Sequence, residues 1–178
     1  MRSSVGRVSE LLFGRHPERC DVLLILATAV CGAALVMRQA GALAPLQQII
    51  LLVLALDVLG GMVANLTRAT NDWYASRAPA LSYLFLVVHA AQPLIAVLFL
   101  KADGAFFAFL YGYSLIAGSV VVGRRRVPSH RVLAVALMAF GMVGYNAFIT
   151  PPPYLTWFGY AYLFKLVYAF AVNHSGKA

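Results

Sequence analysis

The chain has 178 residues, of which 62% are hydrophobic and 11% charged, with a formal net charge of +8 and a mean hydropathy of +0.81. A soluble domain carries about twice that charged fraction, and several apolar runs approach the roughly 20 residues that cross a bilayer. A soluble fold is therefore excluded, and an all-α polytopic membrane protein is expected. The basic excess does not point to nucleic acid, because the arginines lie in short segments between apolar runs without interleaved aromatics. Cys20 and Cys31 are the only cysteines, so neither a disulfide framework nor a Cys-x-x-Cys metal site is available.

Residues 1–20 carry Arg2, Arg7, Arg15 and Arg19 among Glu10 and Glu18. Val8, Leu11, Leu12 and Phe13 suit a short interfacial helix, and a solvated segment that only orients the first span fits equally. The first span is expected at 22–37. Ala42-Leu43-Ala44 has the small-residue pattern of a signal-peptidase site, but Pro45 follows it and a long charged segment precedes it, so a retained anchor is expected. The second span covers 43–65, with Pro45 tolerated in its first turn. A polar connection at 66–79 holds Arg68, Arg77, Trp73 and Tyr74, the two aromatics fitting an interfacial belt. The third span is 80–100, closed by Lys101-Ala-Asp103-Gly104. The fourth is 105–123, closed by the densest cationic run, from Arg124-Arg125-Arg126 to Arg131. The fifth is 132–150. Pro151-Pro152-Pro153 then forms a stiff corner before a sixth span at 154–172. The organisation expected is a cytoplasmic segment at 1–20, one six-helix transmembrane domain at 21–173 and a tail at 174–178.

Six spans place the N-terminus, the 66–79 and 124–131 connections and the C-terminus on one side. That side holds Arg2, Arg7, Arg15, Arg19, Arg68, Arg77, Arg124, Arg125, Arg126, Arg131 and Lys177, eleven of the fourteen Lys and Arg residues. The other side has Arg38 and Lys101, and Lys165 lies within a span. The positive-inside rule makes both termini cytoplasmic, as in a bacterial inner-membrane protein. Small-residue pairs recur: Ala29 with Ala33, Thr28 with Gly32, Ala108 with Gly112, Ser114 with Gly118, and Gly141 with Gly144. Such pairs let helices approach within the chain or join copies into a homo-oligomer.

The second span contains the stretch Leu51-Leu-Val-Leu-Ala-Leu-Asp57-Val-Leu-Gly60-Gly61-Met-Val-Ala64-Asn65. Asp57, Gly60, Gly61, Ala64 and Asn65 follow at i, i+3, i+4, i+7 and i+8 and are expected on one face. An acid at that depth costs several kcal/mol unless it is paired or wetted. His89 and Lys165 are the other ionisable residues deep in spans. Each of the three lies eight or nine residues from the cytoplasmic end of its helix, about 12–14 Å at 1.5 Å per residue, so one cluster is expected. Pro93 removes the hydrogen bond to the carbonyl of His89 and leaves that oxygen free, with Gln92 one turn from the histidine. Broken helices at mid-membrane depth are tolerated where a cavity or neighbouring helices satisfy them. Asn65, Tyr113, Asn146, Tyr162 and Tyr168 are further candidates to line a site. His16, His130 and His174 are expected at the cytoplasmic surface.

Asp57-Val-Leu-Gly60-Gly61-Met-Val-Ala64-Asn65 resembles the start of the CDP-alcohol phosphotransferase motif. Asn65, however, replaces its basic residue, and the downstream pair of aspartates is missing. The metal site of that family is thus absent, and the family is rejected. Motifs of zinc peptidases, serine hydrolases and P-loop enzymes are also missing. Lys165 with a distant acid resembles a retinal Schiff base and its counter-ion, but six spans and the lack of other rhodopsin features set that aside. In size and span number the chain resembles the vitamin-binding S-components of energy-coupling transporters, which implies that Ala29 and Ala33 form a docking surface.

The expectation drawn from these residues is a small transporter or substrate-binding membrane subunit, with or without proton coupling, whose site holds Asp57, His89 and Lys165. Two ionisable groups within an apolar bundle are candidates for proton exchange. The alternative is a membrane-embedded enzyme acting on a lipid or isoprenoid, with His89 or Asp57 as general base and Arg68, Arg77, Arg124, Arg125 and Arg126 on a phosphate head group. The third is a scaffold in which Asp57 and Lys165 only fix helix register. Partners are the lipid bilayer and a small-molecule or lipid ligand; no metal is expected, and the sequence names no cofactor.

Overall fold

Within hydrocarbon every backbone N–H and C=O must be satisfied inside its own segment, which turns apolar runs into helices. The computed structural model describes residues 18–174 and, among them, is all helical, with no strand. The expected interfacial helix around Val8 to Phe13, the position of His16 and the residues after His174 lie outside the described part. Five helical segments are long and apolar enough to cross a membrane: Arg19–Met37, Pro45–Ala64, Pro79–Phe99, Gly104–Gly123 and His130–Phe148. Together they mark an integral membrane protein.

Helix α1 is Arg19–Met37 and α2 is Pro45–Ala64, with Pro45 in the first turn where its missing N–H is harmless. Gln47 closes that turn by accepting from the Ala44 N–H at 3.1 Å and reaches the Phe99 carbonyl at 2.8 Å. The short α3, Arg68–Ala75, is capped by the Thr67 hydroxyl. The third span is two helices, α4 at Pro79–Val88 and α5 at Ala91–Phe99, with a break at His89 and Ala90. Helix α6, Gly104–Gly123, is capped by Asp103, and α7 is His130–Phe148.

The last segment differs from the sixth span expected at 154–172. After a 3₁₀ turn at Pro153–Leu155, eight residues of α-helix, α8 at Thr156–Leu163, run directly into seven of π-helix at Phe164–Phe170. It falls short of the length of the other five, and it sits inside the bundle, ringed by α2, α6 and α7. Leu155, Phe158, Tyr162, Leu163 and Val167 have no exposed surface. A helix apolar all round belongs in such a core.

Helix α1 packs on α2 at the periphery. Gly60 faces it, a Cβ there meeting the Ala29 Cβ at 3.1 Å, whereas Gly61 faces Lys165. The small residues of α2 thus serve two neighbours, and the single shared face read from the spacing is corrected. Ala29 and Ala33 are buried within the chain, so they are not the docking surface implied by the S-component resemblance. Helix packing consumes them.

Candidate functional site

Lys165 is the second residue of the π-helical segment. Its side chain is 3% exposed, and Nζ lies 3.3 Å from Asp57 Oδ1 while also donating to the backbone carbonyl of Asp57 at 3.3 Å. Gly61 makes this approach possible. A Cβ at 61 would stand 2.7 Å from Cε and 2.8 Å from Nζ of Lys165, so any side chain there displaces the ammonium. The second carboxylate oxygen, Oδ2, accepts from Gln92 Nε2 on α5. Asp57 therefore joins three elements. Even so, its side chain is 53% exposed, on a helix that crosses the membrane. A charged group facing hydrocarbon at the bilayer centre costs about 3 kcal/mol or more unless water or another molecule covers it.

The break at His89 follows from Pro93, which cannot donate to the carbonyl of His89. That oxygen accepts instead from the Tyr162 hydroxyl at 3.0 Å and from the Gln92 N–H at 3.3 Å. The imidazole Nδ1 lies 2.6 Å from the Phe85 carbonyl. A carbonyl only accepts, so Nδ1 carries the hydrogen and Nε2 keeps its lone pair in the neutral ring. The ring lies against Phe85, with centroids 4.0 Å apart. Asn65 donates to the Lys165 carbonyl at 3.5 Å. Gln92 is buried, and its Oε1 has no hydrogen-bond partner.

Asp57, Lys165, Gln92, Asn65 and Tyr162 thus join one series of hydrogen bonds, and His89 joins it through its backbone carbonyl, its ring being held by Phe85. The other candidates do not join it. Tyr113 donates to the Leu137 carbonyl at 2.6 Å between α6 and α7. Asn146 is exposed and accepts from Tyr160 at 3.2 Å. Tyr168 lies edge-on to His174. No residue pattern announces the π-helix; such segments occur frequently at functional sites.

The arginines divide. Arg68, Arg124 and Arg126 are exposed. Arg77 lies 3.5 Å above the Trp73 ring and donates to the Trp73 carbonyl at 2.9 Å. Arg125 turns inward and caps the end of the π-helix. It donates to the carbonyls of Ala171 at 2.8 Å and Phe170 at 2.7 Å and to the Ser82 hydroxyl at 3.0 Å. Burial lowers its pKa to about 10, which leaves it charged at neutral pH. His130, expected at the surface, is buried beneath the same turn. Among the described residues no three His, Cys, Asp or Glu side chains gather as metal ligands would.

Fold and site together define a helical membrane protein with a charged cluster inside its bundle. Comparison with protein-family models, with curated proteins and with solved structures returns no match to this chain.

Proposed function

We propose that the chain is a small transporter or substrate-binding membrane subunit whose site is the Asp57–Lys165 pair with Gln92, His89, Asn65 and Tyr162. One observation carries this reading: the lysine is sealed in the core, while the carboxylate that balances it is half exposed. A brace that only fixes helix register would bury both partners. An open carboxylate can exchange a proton or bind a cationic group, after which Lys165 is released to an anionic one. The same outward exposure keeps a second reading, a lipid- or isoprenoid-modifying enzyme, in which Asp57 faces the acyl region and Arg68, Arg124 and Arg126 face head groups.

Six crossings with cytoplasmic termini in a bacterial inner membrane belong to this reading, supported by the arginine distribution. Ala108 and Gly112 are the surface left for a second copy, since Ala108 is exposed and a Cβ at Gly112 would meet nothing within 4 Å. Carbodiimide modification tests the site: a membrane-permeant reagent should modify Asp57 in wild type, and Asp57→Asn should abolish that adduct. An unreactive Asp57 would leave only the brace. For topology, Ser129→Cys in a background free of Cys20 and Cys31 should react with an impermeant maleimide only after permeabilisation; labelling of intact cells contradicts it.

A further inference from the structure

The turn between α6 and α7 encloses a cleft of about 230 Å³ whose polar lining is Arg125, Arg126, His130, Arg131 and Asn173. It lies where the apolar run of α6 stops, and none of the residues of the Asp57–Lys165 site lines it. Among the described residues its charge is one-sided: three guanidinium groups and an imidazole line it, and no carboxylate does. Such a concave cationic wall draws anions.

The donors around it are only partly committed. Arg125 spends three N–H groups on Ala171, Phe170 and Ser82, and a guanidinium has five. Arg131 uses one nitrogen, Nη2, on the carbonyls of Asn173 at 3.2 Å and His174 at 3.5 Å. Arg126 is exposed and makes no hydrogen bond or ion pair among the described residues. His130 is 8% exposed. Its Nδ1 lies 2.7 Å from the Val127 carbonyl, which fixes the hydrogen on Nδ1 and the plane of the ring. Its Nε2 is buried with no partner, and a buried polar atom of that kind is uncommon unless something else meets it. His130 also opens the 19-residue α7, whose N-terminal dipole adds positive potential at the same place.

We infer that this cleft binds a phosphate group, carried either by an anionic phospholipid head group or by a soluble phosphate ester. A tetrahedral phosphate offers a separate oxygen to each of Arg126, Arg131 and His130, and its charge suits paired guanidinium groups. With Nδ1–H committed to Val127, Nε2 is the atom that meets the ligand, accepting from a P–OH or, in the imidazolium, donating to a phosphate oxygen.

The test uses the full chain in neutral detergent, with two probes. Thermal unfolding is followed with inorganic phosphate against chloride at equal ionic strength, and retention of phosphatidylglycerol against phosphatidylcholine is followed by native mass spectrometry. At least one probe should bind, and Arg126→Gln should weaken it about tenfold, the loss of one charge-assisted hydrogen bond. His130→Gln should weaken it similarly, whereas Arg19→Gln, an exposed arginine away from the cleft, should not. A response to free phosphate assigns a soluble ester; retention of phosphatidylglycerol without that response assigns the head group. Arg126 holds nothing in the fold, so its variant remains informative if His130→Gln fails to fold. Binding of neither probe, or an equal loss in Arg19→Gln, overturns the inference.

Discussion

The first and last helices are both apolar in sequence and are used in opposite ways. Helix α1 buries only Ile25, Ala29, Ala33 and Val36 and leaves most of its leucines exposed. The α8–π segment buries nearly everything, including a lysine. Lipid is as apolar as a protein core, so hydrophobicity does not separate a peripheral helix from a central one. The separation lies in small and polar residues. On α2, Gly60 receives the outer helix and its neighbour Gly61 receives Lys165 of the inner one.

The largest effect should come from cutting the two helices equivalently. Leu166 is 1% exposed and Leu35 is 64% exposed. Leu166→Ala should cost about 3 kcal/mol and Leu35→Ala less than about 0.5 kcal/mol, read from thermal or denaturant unfolding in detergent. Equal costs would break the contrast between the helices. Removing the carboxylate follows: Asp57→Asn strands Lys165 in the core and should cost about 3 kcal/mol, a low value for a buried pair because Asp57 is half exposed. Adding Lys165→Met should restore most of it, and simple additivity of the two changes would show that the groups do not interact.

The adjacent glycines sharpen the comparison further. Gly61→Ala forces the ammonium off Asp57 and should cost about 2 kcal/mol, whereas Gly60→Ala asks α1 to shift by a few tenths of an ångström and should cost less than about 1 kcal/mol. Tyr162→Phe removes the hydroxyl from the proline-freed carbonyl of His89 and should cost about 1 kcal/mol. A melting temperature unchanged by Tyr162→Phe would mean that the Gln92 N–H satisfies this oxygen alone.

Much of this was legible in the residues. The apolar runs announced the five long helices, and Pro93 announced the break at His89. Counting residues from the helix ends put Asp57, His89 and Lys165 at one depth; Asp57 and Lys165 form an ion pair, while the His89 ring turns to the Phe85 carbonyl. What spacing did not reveal was direction around each helix axis. With Leu and Val on nearly every side of α2, nothing in the pattern told that Gly60 and Gly61 face different partners, or that Ala29 is spent on α2. Nor did it reveal Arg125, which reads like its exposed neighbours Arg124 and Arg126; only the open carbonyls at the end of the π-helix draw it inward. His130, likewise, differs from a surface histidine only through the turn that covers it.

In the proposed function the Asp57–Lys165 pair is an open site and not a brace. The most direct measurement screens the Asp57→Asn/Lys165→Met double variant and wild type against the same panel of amines, carboxylates and amphiphiles for ligand-dependent thermal stabilisation. The account predicts a folded double variant that has lost the stabilisation seen in wild type. A double variant that is fully stable and is stabilised by the same compounds to the same degree would contradict it.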